Sequence, residues 1–162
     1  MKALGAGLGS LVVVLAFSDA AWAHCEIPCG IYGDELRFEL MSEHVTTIEK
    51  SIQEIIALSA KTTRTAQDQN QLARWVANKE EHANRLQEIV SQYFLHQRIK
   101  PVATGAKEYP RYIQQLTAAH ALLIGAMTAK QGADLAPVAK LRADLEAFRV
   151  AYLGPTAKQP AR

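Results

Sequence analysis

The chain has 162 residues, of which 49% are hydrophobic and 21% are charged, a composition typical of one soluble globular domain with a substantial core. Its formal net charge is only +2, which is too small to indicate a nucleic-acid partner and does not oppose a small anionic substrate. The sequence contains no internal repeat and no low-complexity tract.

Residues 1–23 have the features of a secretory signal. Lys2 is the positively charged end, residues 8–17 form an apolar run, and Ala21-Trp22-Ala23 is a small-x-small site of the kind that signal peptidase cuts. The run of about ten residues is too short to cross a bilayer of about 30 Å as a helix. We therefore expect cleavage after Ala23, no stable membrane anchor, and an exported protein, periplasmic or secreted, whose single domain spans residues 24–162. The alternative is that residues 1–23 stay attached as an uncleaved anchor, in which case His24 has no free α-amine.

Both cysteines lie directly after this predicted cleavage point, in a segment that we call the hook (residues 24–32, HCEIPCGIY). As the new terminus, His24 offers an imidazole and an α-amine, Cys25 offers a thiolate and a backbone amide, and Cys29 offers a second thiolate. These donors are sufficient to enclose a metal ion. The alternative is a Cys25–Cys29 disulfide loop, since export places both thiols in an oxidising compartment. Zinc fits less well because the chain lacks the usual four-ligand spacing.

Two amphipathic helices are predicted after the hook. Asp34 and Glu35 are suited to cap and charge the start of the first, which the polar run 59–70 ends. The second is expected over residues 68–93, and His82 and Lys79 interrupt its apolar face. Because an unpaired buried charge is costly, each of them should lie at an end of the core or find a partner. The predicted inward faces are Met41, Val45, Ile48, Ile52 and Ile55 in the first helix, and Leu72, Trp75, Lys79, His82, Leu86, Ile89 and Tyr93 in the second.

Two more helices are predicted after a loop over residues 94–108. Pro110 suits the first turn of the third helix, Gly132 ends it, Asp134 and Pro137 open the fourth, and Gly154 ends that one. The predicted inward faces are Ile113, Leu116, His120, Leu123 and Met127 in the third helix, and Leu135, Val138, Leu141, Leu145, Phe148 and Tyr152 in the fourth. Four such helices without strand-like alternation predict an all-α protein, an antiparallel four-helix bundle preceded by an irregular metal-binding hook.

The hook resembles the nickel-binding hook of the nickel-containing superoxide dismutase family. The similarity lies in the pattern His-Cys-x-x-Pro-Cys-Gly-x-Tyr at a processed amino terminus, which corresponds to His24, Cys25, Pro28, Cys29, Gly30 and Tyr32. A looser similarity extends over most of the mature chain, including the Tyr-Phe pair at the end of the second predicted helix. The resemblance implies a homohexamer of four-helix bundles with one nickel ion per subunit.

The resemblance also implies the ligands and the reaction. The two thiolates, the Cys25 amide nitrogen and the His24 amine would form a plane of donors, which suits divalent nickel, and the His24 imidazole would bind axially in the oxidised state. Superoxide would be converted to dioxygen and hydrogen peroxide by cycling between Ni(II) and Ni(III). The alternatives are an exported helical bundle that carries nickel or copper without turnover, and a structural bundle with a disulfide loop.

Further roles follow from the same resemblance. Pro28, which is cis in the family, would bend the hook, and Gly30 permits a backbone conformation closed to other residues. Tyr32 would lie over the open face of the metal, and Tyr93 resembles a second gating tyrosine, with an interfacial core aromatic as its alternative. The segment between Tyr32 and the first helix is one residue shorter than in well-known family members. With that gap, Glu39 falls where a carboxylate partner of the His24 imidazole would be. His82 takes the place of a partner arginine of some members; the alternative for it is a hydrogen-bonded core histidine.

Overall fold

A computed structural model describes residues 33–155, and these fold into four α-helices with no strand among them. The helices are α1 (Asp34–Ser59), α2 (Ala66–Glu88), α3 (Tyr109–Gln131) and α4 (Ala136–Leu153). A π-helical segment (Ile89–Arg98) continues α2 without a break. The signal, the hook and the tail after residue 155 lie outside the described residues.

The helices run antiparallel to their neighbours, as the side-chain contacts between them show. From α1 to α2, Asp34 meets Tyr93, His44 meets His82, and Ser51 meets Asn78, so one number rises as the other falls. The other three helix pairs follow the same rule. Between α2 and α3, Gln87 bonds to Leu123 and Lys79 to Lys130; between α3 and α4, Arg111 bonds to Tyr152 and Gln115 to Ala151. Between α1 and α4, Asp34 bonds to Tyr152 and Glu49 to Arg142. The prediction of an antiparallel four-helix bundle is confirmed.

α1 buries the apolar face that its sequence predicts, since all five residues of that face are buried. Its start differs from the expectation. Gly33 is the N-cap residue, and no side chain caps the helix. Asp34 and Glu35 still place negative charge in the first turn, where the helix dipole favours it, but the Asp34 carboxylate bonds to distant parts of the chain instead of to its own helix.

α2 begins two residues earlier than expected because Thr65 and Asp68 form a capping box. The Thr65 hydroxyl accepts a hydrogen bond from the Asp68 amide at 3.1 Å, and the Asp68 carboxylate accepts one from the Thr65 amide at 3.0 Å. At its other end the expected loop from residue 94 is wrong, because the chain stays helical to Arg98. Phe94 is fully buried, so this segment is part of the core.

The inward face of α3 is rotated from the predicted one, whereas the predicted face of the second helix is largely right: Lys79, Leu86 and Tyr93 are buried and its other residues are half-buried. In α3, Ile113 and Met127 are 41% and 42% exposed and His120 is exposed, and the small residues Ala119, Gly125 and Ala126 face the core with Leu122. Small residues permit close helix packing: a Cβ atom at Gly125 would lie 3.1 Å from Leu141 Cδ1. In α2 the deeply buried residues are Ala83 and Leu86, continued by Val90, while Trp75 and His82 are half-buried. In α4 the predicted face is right except for Leu135, which is 37% exposed.

Lys79 finds the partner that its place on an apolar face requires. The side chain is 5% exposed, and its ammonium group donates hydrogen bonds to the carbonyl oxygens of Lys130 at 2.6 Å and Gly132 at 2.7 Å. These carbonyls belong to the carboxyl end of α3, where unpaired acceptors and the helix dipole favour a cation. The buried charge therefore joins α2 to the end of α3, as the sequence led us to expect.

Candidate metal centre

The predicted nickel donors, His24, Cys25 and Cys29, lie outside the described residues, as do Pro28, Gly30 and Tyr32. Within residues 33–155, no group of three or more histidine, cysteine, aspartate or glutamate side chains is placed to hold a metal ion. The chain has two cysteines, and both are in the hook, so a thiolate site can be built only there. A donor set of two thiolates with amine, amide and imidazole nitrogen fits nickel chemically.

Asp34 is the first residue of α1 and follows the hook after only one residue, Gly33. Its carboxylate receives three hydrogen bonds: from the Tyr93 hydroxyl at 2.6 Å, from the Tyr152 hydroxyl at 2.9 Å and from the Arg98 guanidinium at 2.8 Å. The donors come from the π-helical segment and from the end of α4. The base of the hook is thus tied to two other elements at one end of the bundle. We call these four side chains the Asp34 cluster.

The Asp34 cluster fixes the protonation states of its members. Burial raises the pKa of Asp34, but the hydrogen bonds from Arg98, Tyr93 and Tyr152 outweigh it and hold the pKa below its usual value. Burial and the hydrogen bond to the Asp34 carboxylate raise the pKa of Tyr93 to about 12. At neutral pH, Asp34 is therefore an anion and Tyr93 a neutral phenol that donates its proton to that anion.

Two arginines also lie over the Tyr93 ring. The guanidinium carbon of Arg37 is 5.2 Å from the ring centroid, and that of Arg98 is 5.9 Å from it. Both distances are within the range of cation–π attraction. Tyr93 is thus held by two cations near its ring and by the hydrogen bond from its hydroxyl to Asp34. It is 9% exposed, so the structure shows a buried tyrosine at the hook end of the bundle.

The Asp34 cluster rests on an aromatic group formed by Phe38, Phe94, Phe148 and Tyr152. The ring centroids of Phe38 and Phe94 are 4.9 Å apart, and those of Phe94 and Tyr152 are 5.0 Å apart. Aromatic pairs at such distances stabilise beyond the area that they bury. Phe94 belongs to the π-helical segment, a rare conformation that often occurs at functional sites. The segment that presents Tyr93 and Arg98 is thus anchored to the core.

The structure does not bring Glu39 or His82 into the Asp34 cluster. Glu39 is exposed on α1. His82 lies opposite His44, which is ten residues into α1 and so about 15 Å along the helix from Asp34. The two Nδ1 atoms are 3.1 Å apart, so one ring donates a hydrogen bond to the other. Such a partner fits the hydrogen-bonded histidine that was the alternative for His82, and the proposed roles of Glu39 and His82 near the metal stay predictions.

Sequence reasoning missed Asp34, Arg98 and Tyr152 as a group. It took Asp34 as a helix-start residue, Tyr152 as part of a core face, and placed Arg98 in a loop. The only local signal was the Tyr-Phe pair at the end of the second predicted helix, because Asp34 and Tyr152 are each more than 50 residues from Tyr93 and Arg98. Tyr93 was singled out by the resemblance, and the structure places it beside the hook's point of attachment.

The comparisons with known proteins point to one family. The sequence model of nickel-containing superoxide dismutase matches residues 19–155, which include the whole hook and all four helices. Searches of curated proteins and of solved structures found no match. Because the matched region covers most of the 162 residues and coincides with a bundle that carries a cysteine-containing amino-terminal hook, this chain belongs to the nickel-containing superoxide dismutase family, oxidoreductases with a nickel cofactor.

Proposed function

We propose that the mature chain begins at His24 and that it dismutes superoxide with a nickel ion held by His24, Cys25 and Cys29. The observation that carries this proposal is the hook sequence, which lies inside the region matched by the family. A nickel ion bound there would supply one-electron chemistry through its Ni(II) and Ni(III) states, by which two superoxide anions and two protons give dioxygen and hydrogen peroxide. The α-amine of His24 exists as a donor only after cleavage, so maturation is part of the proposed site.

The chain's own residues have distinct tasks in this proposal. The anionic thiolates of Cys25 and Cys29 donate charge to the metal and make its higher oxidation state accessible. Tyr32 is three residues from Cys29, so their Cα atoms are at most about 11 Å apart. This distance allows the phenol of Tyr32 to order water or the anion near the metal. Asp34 is five residues from Cys29, so their Cα atoms are at most about 18 Å apart, and the Asp34 cluster, which includes Tyr93, lies at the end of the bundle from which the hook continues.

We further propose export, with signal peptidase as the processing enzyme, a periplasmic or secreted location, and assembly as a homohexamer. The features of residues 1–23 support export, and family resemblance supports the hexamer. None of the helices within residues 33–155 combines the length and the apolar character needed to cross a membrane. Native mass spectrometry of the mature protein measures the number of subunits and of nickel ions in one experiment.

The decisive experiment compares the wild type with a variant that carries one extra alanine before His24. We expect intact mass to show a wild type that starts at His24, contains one nickel ion per subunit and accelerates superoxide decay after pulse generation. The extended variant should keep the helical circular dichroism spectrum and lose the activity, because its terminal amine is displaced. A mature wild type that starts elsewhere would overturn the proposed site. A wild type that contains its full nickel but does not dismute superoxide would leave only the alternative of a metal carrier without turnover.

A further inference from the structure

The Asp34 carboxylate is the point at which three elements meet beside the hook. It bonds to Tyr93 and Arg98 of the π-helical segment and to Tyr152 of α4, while its backbone begins α1. We propose that Asp34 is a positioning residue of the dismutase, which holds the Tyr93 phenol in one orientation and ties the base of the hook to the bundle. This inference rests on the proposed function and assigns a residue that the hook pattern does not contain.

The geometry supports a positioning role more than a capping role. A helix-capping aspartate bonds to amides of its own first turn, yet α1 has no side-chain cap. Asp34 bonds instead to Tyr93, Arg98 and Tyr152, which are 59, 64 and 118 positions further along the chain. Arg98 balances the negative charge, so the carboxylate is held by an ion pair and by two phenols. Charge-assisted hydrogen bonds of this kind are short and roughly twice as strong as neutral ones.

The bond also decides what Tyr93 can do chemically. A phenol has one proton, and Tyr93 donates it to Asp34 at 2.6 Å. The phenol oxygen therefore has only acceptor capacity for a further partner, and such a partner must be a donor, such as water or hydrogen peroxide. A superoxide anion is an acceptor and cannot take that place while the Asp34 bond is intact. Asp34 thus takes the one proton of the Tyr93 phenol, so that this hydroxyl does not donate to the substrate anion while the bond is intact.

Another interhelical ion pair on the same helix provides a matched control. Glu49 and Arg142 join α1 to α4 at 2.6 Å, as the Asp34 cluster does, but far from the hook end. Glu49→Gln and Asp34→Asn each replace a carboxylate on α1 by an amide of similar shape. A lower superoxide decay rate in Asp34→Asn but not in Glu49→Gln is therefore due to the place of Asp34 in the protein and not to the general cost of removing an ion pair.

The first readout is the titration of residue 93, independent of activity. A fluorinated tyrosine at this position has a more acidic phenol, so its titration falls at a pH where the protein is folded, and it can be followed by fluorine NMR. Asp34→Asn removes the anion and should lower the phenol pKa, whereas Arg98→Gln removes a cation and should raise it. Loosened packing alone would not give opposite signs, and Arg98→Gln keeps the test valid if Asp34→Asn does not fold.

The second readout is the rate of superoxide decay with the nickel-loaded mature protein, residues 24–162. We expect Asp34→Asn to keep its nickel and helicity and to lose about tenfold in superoxide decay rate, as is typical for outer groups around metal sites. Asp34→Glu should recover part of the rate, and Glu49→Gln should equal the wild type. If the wild type is active and Asp34→Asn changes neither the decay rate nor the pKa of residue 93, the role of Asp34 is overturned while the proposed function stands. A nickel-loaded wild type without dismutation would overturn the proposed function and the role of Asp34 with it.

Discussion

Single residues at the hook end of the bundle have partners that their place in the sequence does not reveal. Tyr93 is buried, as an interfacial core aromatic would be, and in addition its hydroxyl bonds to Asp34 and its ring lies near two guanidinium groups. Lys79 shows the reverse case, because a charge on an apolar face led us to expect a partner, and the structure supplies two carbonyl oxygens. A buried polar group is informative because leaving it unpaired is costly.

Replacing the tyrosines separates a catalyst from a metal carrier. A carrier needs only its donors, so Tyr32→Phe should have no effect in it. In a dismutase, hydrogen-bonding groups near the open face of the metal influence entry and exit, so we expect Tyr32→Phe to keep nickel and to alter turnover or peroxide inhibition. Adding Tyr93→Phe should enlarge the loss. Nickel content and superoxide decay are measured side by side, and unaltered kinetics in the double variant would remove the gating role.

At the scale of helices, the contact between α1 and α2 contains a histidine pair within an apolar interface. Burial, together with the neighbouring His82 and Arg85, lowers the pKa of His44 to about 4, and burial and Arg85 also lower that of His82. Glu81 acts in the opposite direction on both but is outweighed. The folded protein therefore favours neutral imidazoles, which can share one proton between their Nδ1 atoms at 3.1 Å.

This pair should make the bundle less stable in acid. As the pH falls below 6.5, the unfolded chain binds protons at both histidines before the folded chain does, so the free energy of unfolding should decrease down to about pH 4. The double variant His44→Gln, His82→Gln should show a weaker decrease in this window. His120→Gln, at an exposed position of α3, is the control. Denaturant unfolding at several pH values measures the effect; equal pH dependence in the double variant and the wild type would contradict it.

At the scale of the whole molecule, residues 33–155 form a hydrophobic core among themselves. The buried residues of the four helices and the π-helical segment form one continuous cluster within residues 33–155, and the aromatic group around Phe38 and Phe94 lies inside it. The hook is joined to this cluster through Gly33 and the Asp34 cluster. Such an arrangement separates the stability of the scaffold from the chemistry of the metal site.

The cysteine variants test this separation. Cys25→Ser and Cys29→Ser each remove a thiolate, so we expect loss of nickel and of superoxide decay. The helical spectrum and the midpoint of thermal unfolding should stay close to those of the nickel-free wild type, since residues 33–155 form a continuous buried cluster among themselves. Unfolding of both variants would instead favour the disulfide loop. Normal dismutation by both variants would mean that the metal is held elsewhere or is absent.

The sequence alone determined the number and order of the helices, the buried face of α1 and the sulfur and nitrogen donors that the hook contains. Each depends on residues that are close together in the chain: apolar residues at helical spacing, Pro and Gly at helix ends, and sulfur and nitrogen donors within nine residues. Covalent proximity is sufficient for such features, which is why the family can be recognised from the hook.

Only the tertiary structure decided which way α3 faces and how far the second helix extends. The small residues Ala119, Gly125 and Ala126 face the core because neighbouring helices approach closely there, and periodicity ranked larger residues above them. Asp34 bonds to partners between 59 and 118 positions away in the chain, and no local sequence pattern predicts such contacts. They exist because antiparallel packing brings the start of α1, the π-helical segment and the end of α4 to the same end of the bundle.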